Sequence, residues 1–525
     1  MDMNDKLDQE NANTVAFIEW ARTQAVPLTI PRQDENYADL HFLPSIIGNK
    51  HIVAVGESAH YLYEWNRWRA RLFKYLALEH GFTTFVLESA FVEGRIVHEY
   101  VAGVDHDWES VALAINNVWG VWAEINELIR WMRDWNKNPH RPRELRFYGM
   151  DGSGNWAHAG FAYQAVQEYV SRVDAALNDE IKRRFEKKLE GVTLENRAAI
   201  SARTFRELVG EAGLLVSQIE QLRIEYVERT SRDDYDWALR SAEILRDILQ
   251  ALAQTDRNFD IGFRQFWNVR DVSMTRSLQW IREREGPHAG IVVGAHNTHL
   301  QRYPVRVQRA TSMGSYFTSR FGHQDILLIG AASDRSLKGE PPNQDSNQAA
   351  YACIGPDCFL LDLRDAPAQG PVANWLGVER PDRSNLRYQP VCAGKAWDCL
   401  LFHRTLSTAT VERPAFMHAE QTESPNNLRR FAGRYFIYGF LAAKNTLDVY
   451  YESESLYTDG RDDTSGEVFP PYRAKIHYCQ DGRFRWTVWP SILEFHETSQ
   501  WITVSVMTPG RSVYRGERVG DTPKR

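Results

Sequence analysis

The chain has 525 residues, of which 43% are hydrophobic and 25% are charged, and its formal net charge at pH 7 is -7. This composition is typical of a globular protein that is too long for one ordinary domain, and its scattered Lys and Arg residues form no basic run that would attract nucleic acid. The polar amino terminus lacks the features of a secretory signal, and no apolar run reaches the length of a membrane span. We therefore expect a cytoplasmic protein with neither nucleic-acid nor membrane partners.

Short apolar runs alternate with helical patterns from residue 50 to about 150, at HIVAVGE, TTFVLES and LRFYGMD. This alternation predicts parallel strands joined by helices. From about 155 to 285, Glu, Arg, Leu and Ala recur at helical spacing and predict a helical insertion. Strands are expected again at AGIVVGAH, DILLIGAA, CFLLDL and DCLLFHR, ending near residue 410.

Beyond a polar segment the chain changes to short β-prone pieces such as RYFIYGF, LDVYYES and WITVSVMT. The predicted fold class is therefore α/β, with a mostly parallel central sheet, flanking helices, a large helical insertion and a small β-rich C-terminal domain. We place the catalytic α/β domain at 1–410 and the β-rich domain at 411–525. The five cysteines are an odd number in a long chain, which favours free thiols over a disulfide framework.

Charged side chains follow the predicted strands at their carboxyl ends. Glu57 ends VAVGE, Glu88 ends FVLE, and IVVGAHNTH carries His296 and His299. The carboxyl ends of parallel strands form the crevice in which open α/β sheets bind ligands, so we expect these side chains to converge there. A neutral imidazole held by a carboxylate is suited to take a proton from water near pH 7. Either His60 or His296 meets that requirement.

The helix predicted from Glu64 to Glu79 places Arg69 on the same apolar face as Trp65. A buried Arg needs an anionic partner, for which Glu88 or a substrate is the candidate. An ion pair between Arg69 and Glu88 without a catalytic part is the plainer alternative.

Other kinds of chemistry have weaker support. There is no GxSxG nucleophile motif, and neither of the common nucleotide-binding glycine motifs is present. We expect no cofactor. A divalent metal held by the His and Glu residues stays open as a less favoured alternative, because no HExxH-type spacing occurs.

The stretch VAVGESAHYLYEWNRWRARLFKYLALEHGFTTFVLESAF resembles the erythromycin esterase family, as do FYGMDGSG, NVRDVSMTRSLQWI, VVGAHNTHL and AWDCLLFHR. The resemblance spans about 40 to 410. It implies that His60 is the general base that activates water, that Glu57 and Glu88 orient and polarise it, and that Arg69 and His296 complete the catalytic site. The implied reaction is hydrolysis of the ester in a macrolide lactone, which inactivates the antibiotic.

For the bulky small-molecule substrate, we expect four side chains to form the binding part of the site: His299, Ser58, Trp65 and Asp271. Ser58 stands where Gly is usual in the macrolide-hydrolysing members. Two alternatives remain. One is a natural-product or polysaccharide biosynthetic enzyme that uses the same His and Glu residues for cyclisation, elimination or transfer. The other is a non-catalytic protein that binds a hydrophobic ligand.

Overall fold

The structure is a computed structural model. It describes residues 3–29, 36–115, 119–154, 158–189, 192–193, 197, 200–255, 263–305, 309–336, 339–384, 387–412, 428–437, 445–462, 468–479, 483–486, 492–497, 502–507 and 513–520.

The helices of the described chain are α1 Met3–Gln24, α2 Leu43–Ile47, α3 Tyr63–Glu79, α4 Gly94–Ala102, α5 Trp108–Ala114, α6 Ala123–Lys137, α7 Ala159–Val173, α8 Ala175–Leu189, α9 Ala202–Gln221, α10 Arg223–Arg229, α11 Arg232–Ala253, α12 Phe263–Glu285, α13 Asn297–Leu300, α14 Met313–Phe321, α15 Asn347–Ala352, α16 Pro371–Leu376 and α17 Ala393–Ala396.

The strands are β1 Val26–Pro27, β2 Ile52–Val55, β3 Phe82–Ala90, β4 Arg146–Asp151, β5 Gly290–Gly294, β6 Ile326–Ser333, β7 Cys358–Asp362, β8 Arg380–Ser384, β9 Arg387–Val391, β10 Cys399–His403, β11 Gly433–Ile437, β12 Asn445–Glu452, β13 Ser455–Asp462, β14 Val468–Tyr478, β15 Arg483–Trp486, β16 Ile492–Glu497, β17 Ile502–Met507 and β18 Val513–Gly520.

An eight-stranded sheet in the order β1-β7-β10-β6-β2-β5-β3-β4 forms the centre of the α/β part. The pairs from β10 through β6, β2, β5 and β3 to β4 are parallel, whereas β7 runs antiparallel to both β10 and β1. The predicted α/β class with a mostly parallel sheet is confirmed. Strand β5 lies between β2 and β3 in the sheet. In the sequence it comes after both of them, and helices α7–α12 precede it.

Both faces of this sheet are covered by helices. Neighbouring residues along β2 belong to different hydrophobic clusters: Ile52 packs with residues of α7, α9, α11 and α12, while Val53 packs with residues of α3 and α6. Side chains alternate between the faces of a strand, and a parallel sheet buried on both sides therefore reads as a continuous apolar run. This explains why IVAV carries no polar residue.

Helices α7–α12 lie between β4 and β5, within the stretch where we predict a helical insertion. The division of the chain into domains at residue 410 stays a prediction. Helix α3 ends at Glu79, and Gly81 adopts a φ of 77°, which favours glycine. The predicted end of this helix is therefore correct.

The C-terminal strands β11–β18 form a closed barrel. Each strand pairs antiparallel with its neighbour in sequence, and β18 closes the barrel by pairing with β11. Its core contains Tyr435, Phe484, Leu493 and Phe495. The prediction of a small β-rich part is confirmed.

The cysteines are free thiols, as their odd number suggests. Four are buried, and Cys353 is exposed. Across the described ranges, no helix combines the length and the apolar character needed to cross a bilayer.

Candidate active site

The carboxyl ends of β2, β5 and β3 bring the predicted residues together. Glu57 follows β2, Glu88 lies near the end of β3, and His296 follows β5. The His296 backbone N–H donates to Glu88 Oε2 at 2.7 Å, and the rings of His60 and His296 lie 5.3 Å apart. Residues far apart in sequence thus form one cluster at one edge of the sheet.

Glu57 lies at the centre of this cluster and is fully buried. Its Oε1 contacts His60 Nδ1, and its Oε2 lies 2.5 Å from Arg69 Nη2. Arg69 is itself 0% exposed, and a Cβ on Gly294 would come within 2.7 Å of its Cδ. Glycine at the end of β5 therefore makes room for the Arg69 side chain.

The sequence left Glu88 or a substrate as the candidate partner of Arg69, and the structure shows a partner that neither alternative named. Arg69 pairs with Glu57, while the guanidinium of Arg270 contacts Glu88, with its Nη2 2.8 Å from Glu88 Oε1. The strand order explains the difference. Because β5 separates β2 from β3, the helix that follows β2 delivers its arginine to the carboxylate of its own strand.

Glu57 is ionised despite its burial. Burial by itself raises the pKa of this carboxyl, but the positive charges of Arg69 and His60 outweigh it and lower the pKa. An ionised carboxylate can only accept hydrogen bonds, so the Nδ1–H of neutral His60 donates to Glu57. The remaining lone pair of the His60 ring is then on Nε2.

His60 is the more accessible histidine of the pair. Its side chain is 31% exposed, whereas His296 is 3% exposed as a residue. Burial lowers the pKa of His60, but the charge and the hydrogen bond of Glu57, together with the charge of Glu88, outweigh this effect and raise the pKa. His60 therefore combines access to solvent with increased basicity.

His296 has a different environment. Burial, followed by the neighbouring charge of His60, lowers its pKa to about 4. Its Nδ1 accepts from the backbone N–H of Thr298 at 3.2 Å, so its proton is on Nε2, which lies 3.1 Å from the Ser58 carbonyl oxygen. These contacts occupy both ring nitrogens, and they fix the position of the loop that carries His60.

Arg270 and Asp151 belong to the same cluster and were not identified from the sequence. Arg270 Nη2 lies 2.6 Å from Asp151 Oδ2, and one guanidinium therefore bridges Asp151 and Glu88. Burial raises the pKa of Glu88, but His299, His60 and Arg270 outweigh it and hold the pKa well below its usual range. Asp151 ends β4, so the strand-end rule applied to LRFYGMD identifies it.

His299 is held between Arg270 and Asp271. Arg270 Nη1 lies 2.8 Å from His299 Nε2, and His299 Nδ1 lies 2.8 Å from Asp271 Oδ1. A guanidinium only donates, so Nε2 accepts and Nδ1–H donates to Asp271. Asp271 Oδ2 in turn accepts from the Met313 backbone N–H at 2.7 Å. Both side chains thus link the cluster to the start of α14.

Ser58 and Trp65 also form a pair. Trp65 Nε1 donates to Ser58 Oγ at 3.0 Å. Both residues are buried, with Trp65 1% exposed and Ser58 6% exposed. The substrate-binding role expected for these two residues, and for His299 and Asp271, stays a prediction. In the part of the chain that the structure describes, no three His, Cys, Asp or Glu side chains are grouped so as to hold a metal ion.

Comparisons with known proteins extend this picture. The sequence profile of the family described as Erythromycin esterase matches residues 77–405, which include Glu88 and His296, while Glu57 and His60 precede the matched range. Erythromycin esterase type II of Escherichia coli is 25% identical over 332 residues, covering 60% of this chain and 77% of that relative.

Two solved structures share the fold. A succinoglycan biosynthesis protein superposes with a TM-score of 0.64 at 20% identity, covering 76% of this chain and 99% of that one. The open conformation of a mutant of the erythromycin esterase EreC superposes with a TM-score of 0.58 at 18% identity, covering 74% and 98% respectively.

Proposed function

This chain belongs to the erythromycin esterase family, and on that basis we propose that it is a hydrolase that cleaves the ester of a macrolide-type lactone with water activated by His60. The observation that carries the proposal is the contact between His60 and ionised Glu57. The His60 side chain is 31% exposed, so a water molecule can reach it. The carboxylate orients the ring and stabilises the imidazolium that forms.

The reaction proceeds in two stages. His60 Nε2 removes a proton from water as the water oxygen attacks the lactone carbonyl carbon. The tetrahedral intermediate then breaks its bond to the ring oxygen, and the His60 imidazolium returns the proton to the departing alkoxide. The product contains one carboxyl and one hydroxyl group, and its mass is that of the substrate plus one water.

Arg69 supports this reaction from within the protein. Its pairing with Glu57 favours the ionised carboxylate, and that carboxylate raises the pKa of His60 by more than the positive charge of Arg69 lowers it. Arg69 is 0% exposed, so we assign it to this supporting role in preference to direct contact with the substrate. His296 holds the Ser58 carbonyl and hence the loop of the base.

The macrolide substrate is proposed from the family and from the Escherichia coli relative that is named an erythromycin esterase. The test is mass spectrometry of erythromycin and other macrolides after incubation with the protein, with and without EDTA. We expect a gain of one water that EDTA does not affect, and that His60→Ala abolishes.

His51→Ala is the matched control. His51 immediately precedes β2, at the opposite end of the strand from Glu57, and contacts Asp325 at 2.7 Å. Its replacement removes a half-buried histidine from the residue just before the same strand, at the end far from Glu57, and we expect hydrolysis to persist. If no macrolide changes mass with folded wild-type protein, the macrolide proposal fails and the biosynthetic alternative becomes the better one.

A further inference from the structure

The chain beyond β10 crosses the start of α3 and α6. We call residues 405–412 the strap. The Tyr63 N–H donates to the Ser407 carbonyl at 3.0 Å, the Ala409 N–H donates to the Tyr61 carbonyl at 2.9 Å, and Leu62 forms a β-bridge with Thr408. The strap thus pairs antiparallel with the residues that directly follow His60.

A carboxylate reinforces this pairing. Glu64, in the first turn of α3, is 8% exposed, and its Oε2 accepts from the Ser407 N–H at 2.9 Å. Its Oε1 accepts from Ser407 Oγ at 2.7 Å. Hydrogen bonds to an ionised acceptor are about twice as strong as neutral ones. Ser407 is therefore the best-anchored residue of the strap near the His60 loop.

The far end of the strap is attached to a different helix. The Thr410 N–H donates to Glu124 Oε1 at 3.1 Å, and the Thr410 carbonyl accepts from the Ala123 N–H at 2.8 Å. Glu412 binds the Arg130 guanidinium through both carboxylate oxygens. With both ends attached, the segment is a fixed support for the loop between β2 and α3.

We propose that the strap is a positioning element for His60 and that Glu64 is its anchor. The His60 loop is held on one side by His296, which contacts the Ser58 carbonyl, and on the other by the strap, which contacts residues 61–63. His60 lies between these two attachments. Loss of either one allows the ring to move relative to Glu57, and a displacement of about 1 Å in a catalytic group costs about 100-fold in rate.

The inference deepens the proposed function and rests on it for the activity measurement, but the position of His60 can also be followed without a substrate. The pH midpoint of the His60 ring, observed by NMR in the full-length protein with labelled histidine, reports its contact with Glu57. His60→Ala assigns the signal. Glu88 and Arg69 also act on the pKa of the ring, and the His296 ring lies 5.3 Å from it; none of the variants below changes these residues.

The principal variant is Ser407→Ala, which removes the hydroxyl donor without changing any charge. Ser407 is exposed, and its backbone N–H keeps the hydrogen bond to Glu64 Oε2 in this variant, so the protein should fold. We expect the His60 midpoint to move towards that of an ordinary histidine, and kcat to fall about tenfold or more with KM nearly unchanged. Glu64→Gln should have the same effect, and Ser407→Thr, which keeps the hydroxyl, should restore both values.

Ser110→Ala is the matched control. Ser110 donates to Asp107 through its N–H at 2.9 Å and its Oγ at 2.6 Å, in the same arrangement as Ser407 with Glu64, but at the start of α5. This variant should leave the His60 midpoint unchanged. If the pH midpoint of His60 in Ser407→Ala and in Glu64→Gln equals that of the wild type, the strap is only structural and the inference is overturned. If the midpoint moves but even the wild type hydrolyses no ester, the positioning role stands and the proposed function fails.

Discussion

Replacing Glu93 with Gln should stabilise the protein above neutral pH and have little effect near pH 4.5. Glu93 precedes α4, and its Oε1 accepts from the Gly154 N–H at 2.6 Å. Its Oε2 is buried and has no hydrogen-bond partner among the described residues. Burial, together with the negative charge of Asp151, raises the pKa of Glu93 to about 7.

The sign and size of the effect follow from this shift. Below an ordinary pKa of 4.5 the carboxyl is neutral in both the folded and unfolded states, so it has no pH-dependent effect. Between 4.5 and about 7 only the unfolded state ionises, and the free energy of unfolding falls as pH rises. Each pH unit of this interval is worth ~1.4 kcal/mol, so the full cost above neutral pH is about 3 kcal/mol.

The assay compares the thermal unfolding midpoints of wild type and Glu93→Gln at about pH 5 and about pH 8.5. Gln keeps the acceptor for Gly154 but does not ionise, so the variant should gain a few degrees over wild type at the higher pH and much less at the lower pH. Glu144→Gln, at an exposed carboxyl that contacts Arg141, controls for the removal of one negative charge. A difference between wild type and Glu93→Gln that is the same at both pH values would refute the reasoning.

Two further predictions concern the site itself. Arg270→Met leaves the buried carboxylates of Glu88 and Asp151 without their shared cation. The free energy of unfolding, measured in urea, should fall by about 3–5 kcal/mol. An unchanged urea midpoint would contradict the bridging role. The raised pKa of His60 should make kcat/KM fall with decreasing pH at a midpoint above 6.5, because only the neutral ring accepts a proton. If the midpoint lay near 4 instead, the value to which the pKa of His296 is lowered, His296 would be the better candidate for the base.

The convergence of the site was predictable because it depends on a local signal. Glu57, Glu88 and His296 each follow an apolar run, and parallel strands bring such positions to one edge whatever their order in the sheet. The same signal was present at Asp151 and was overlooked. The α/β class was predictable for a similar reason, because apolar runs and helical patterns alternate along the sequence, and the observed sheet confirms it.

The pairing of charges was not predictable, because it depends on strand order. No local pattern places β5 between β2 and β3, and the sequence therefore offered Glu88 or a substrate, but not Glu57, as the partner of Arg69. Arg270 reaches the site from α12, within the predicted insertion, where its helical spacing resembles that of any surface arginine. Closure of the barrel likewise needs β11 to meet β18, for which adjacent sequence carries no signal.

The place of β2 in the sheet also affects how the chain must fold. Its two neighbours, β5 and β6, both follow α12 in sequence, whereas β3 already has β4 beside it. During synthesis from the ribosome, the apolar IVAV segment therefore remains without either partner strand until the helical insertion has emerged. Pairing over such a separation is slow because a long loop must first close, and unpaired strands are prone to aggregation. We expect nascent chains that stop before β5 to depend on chaperones.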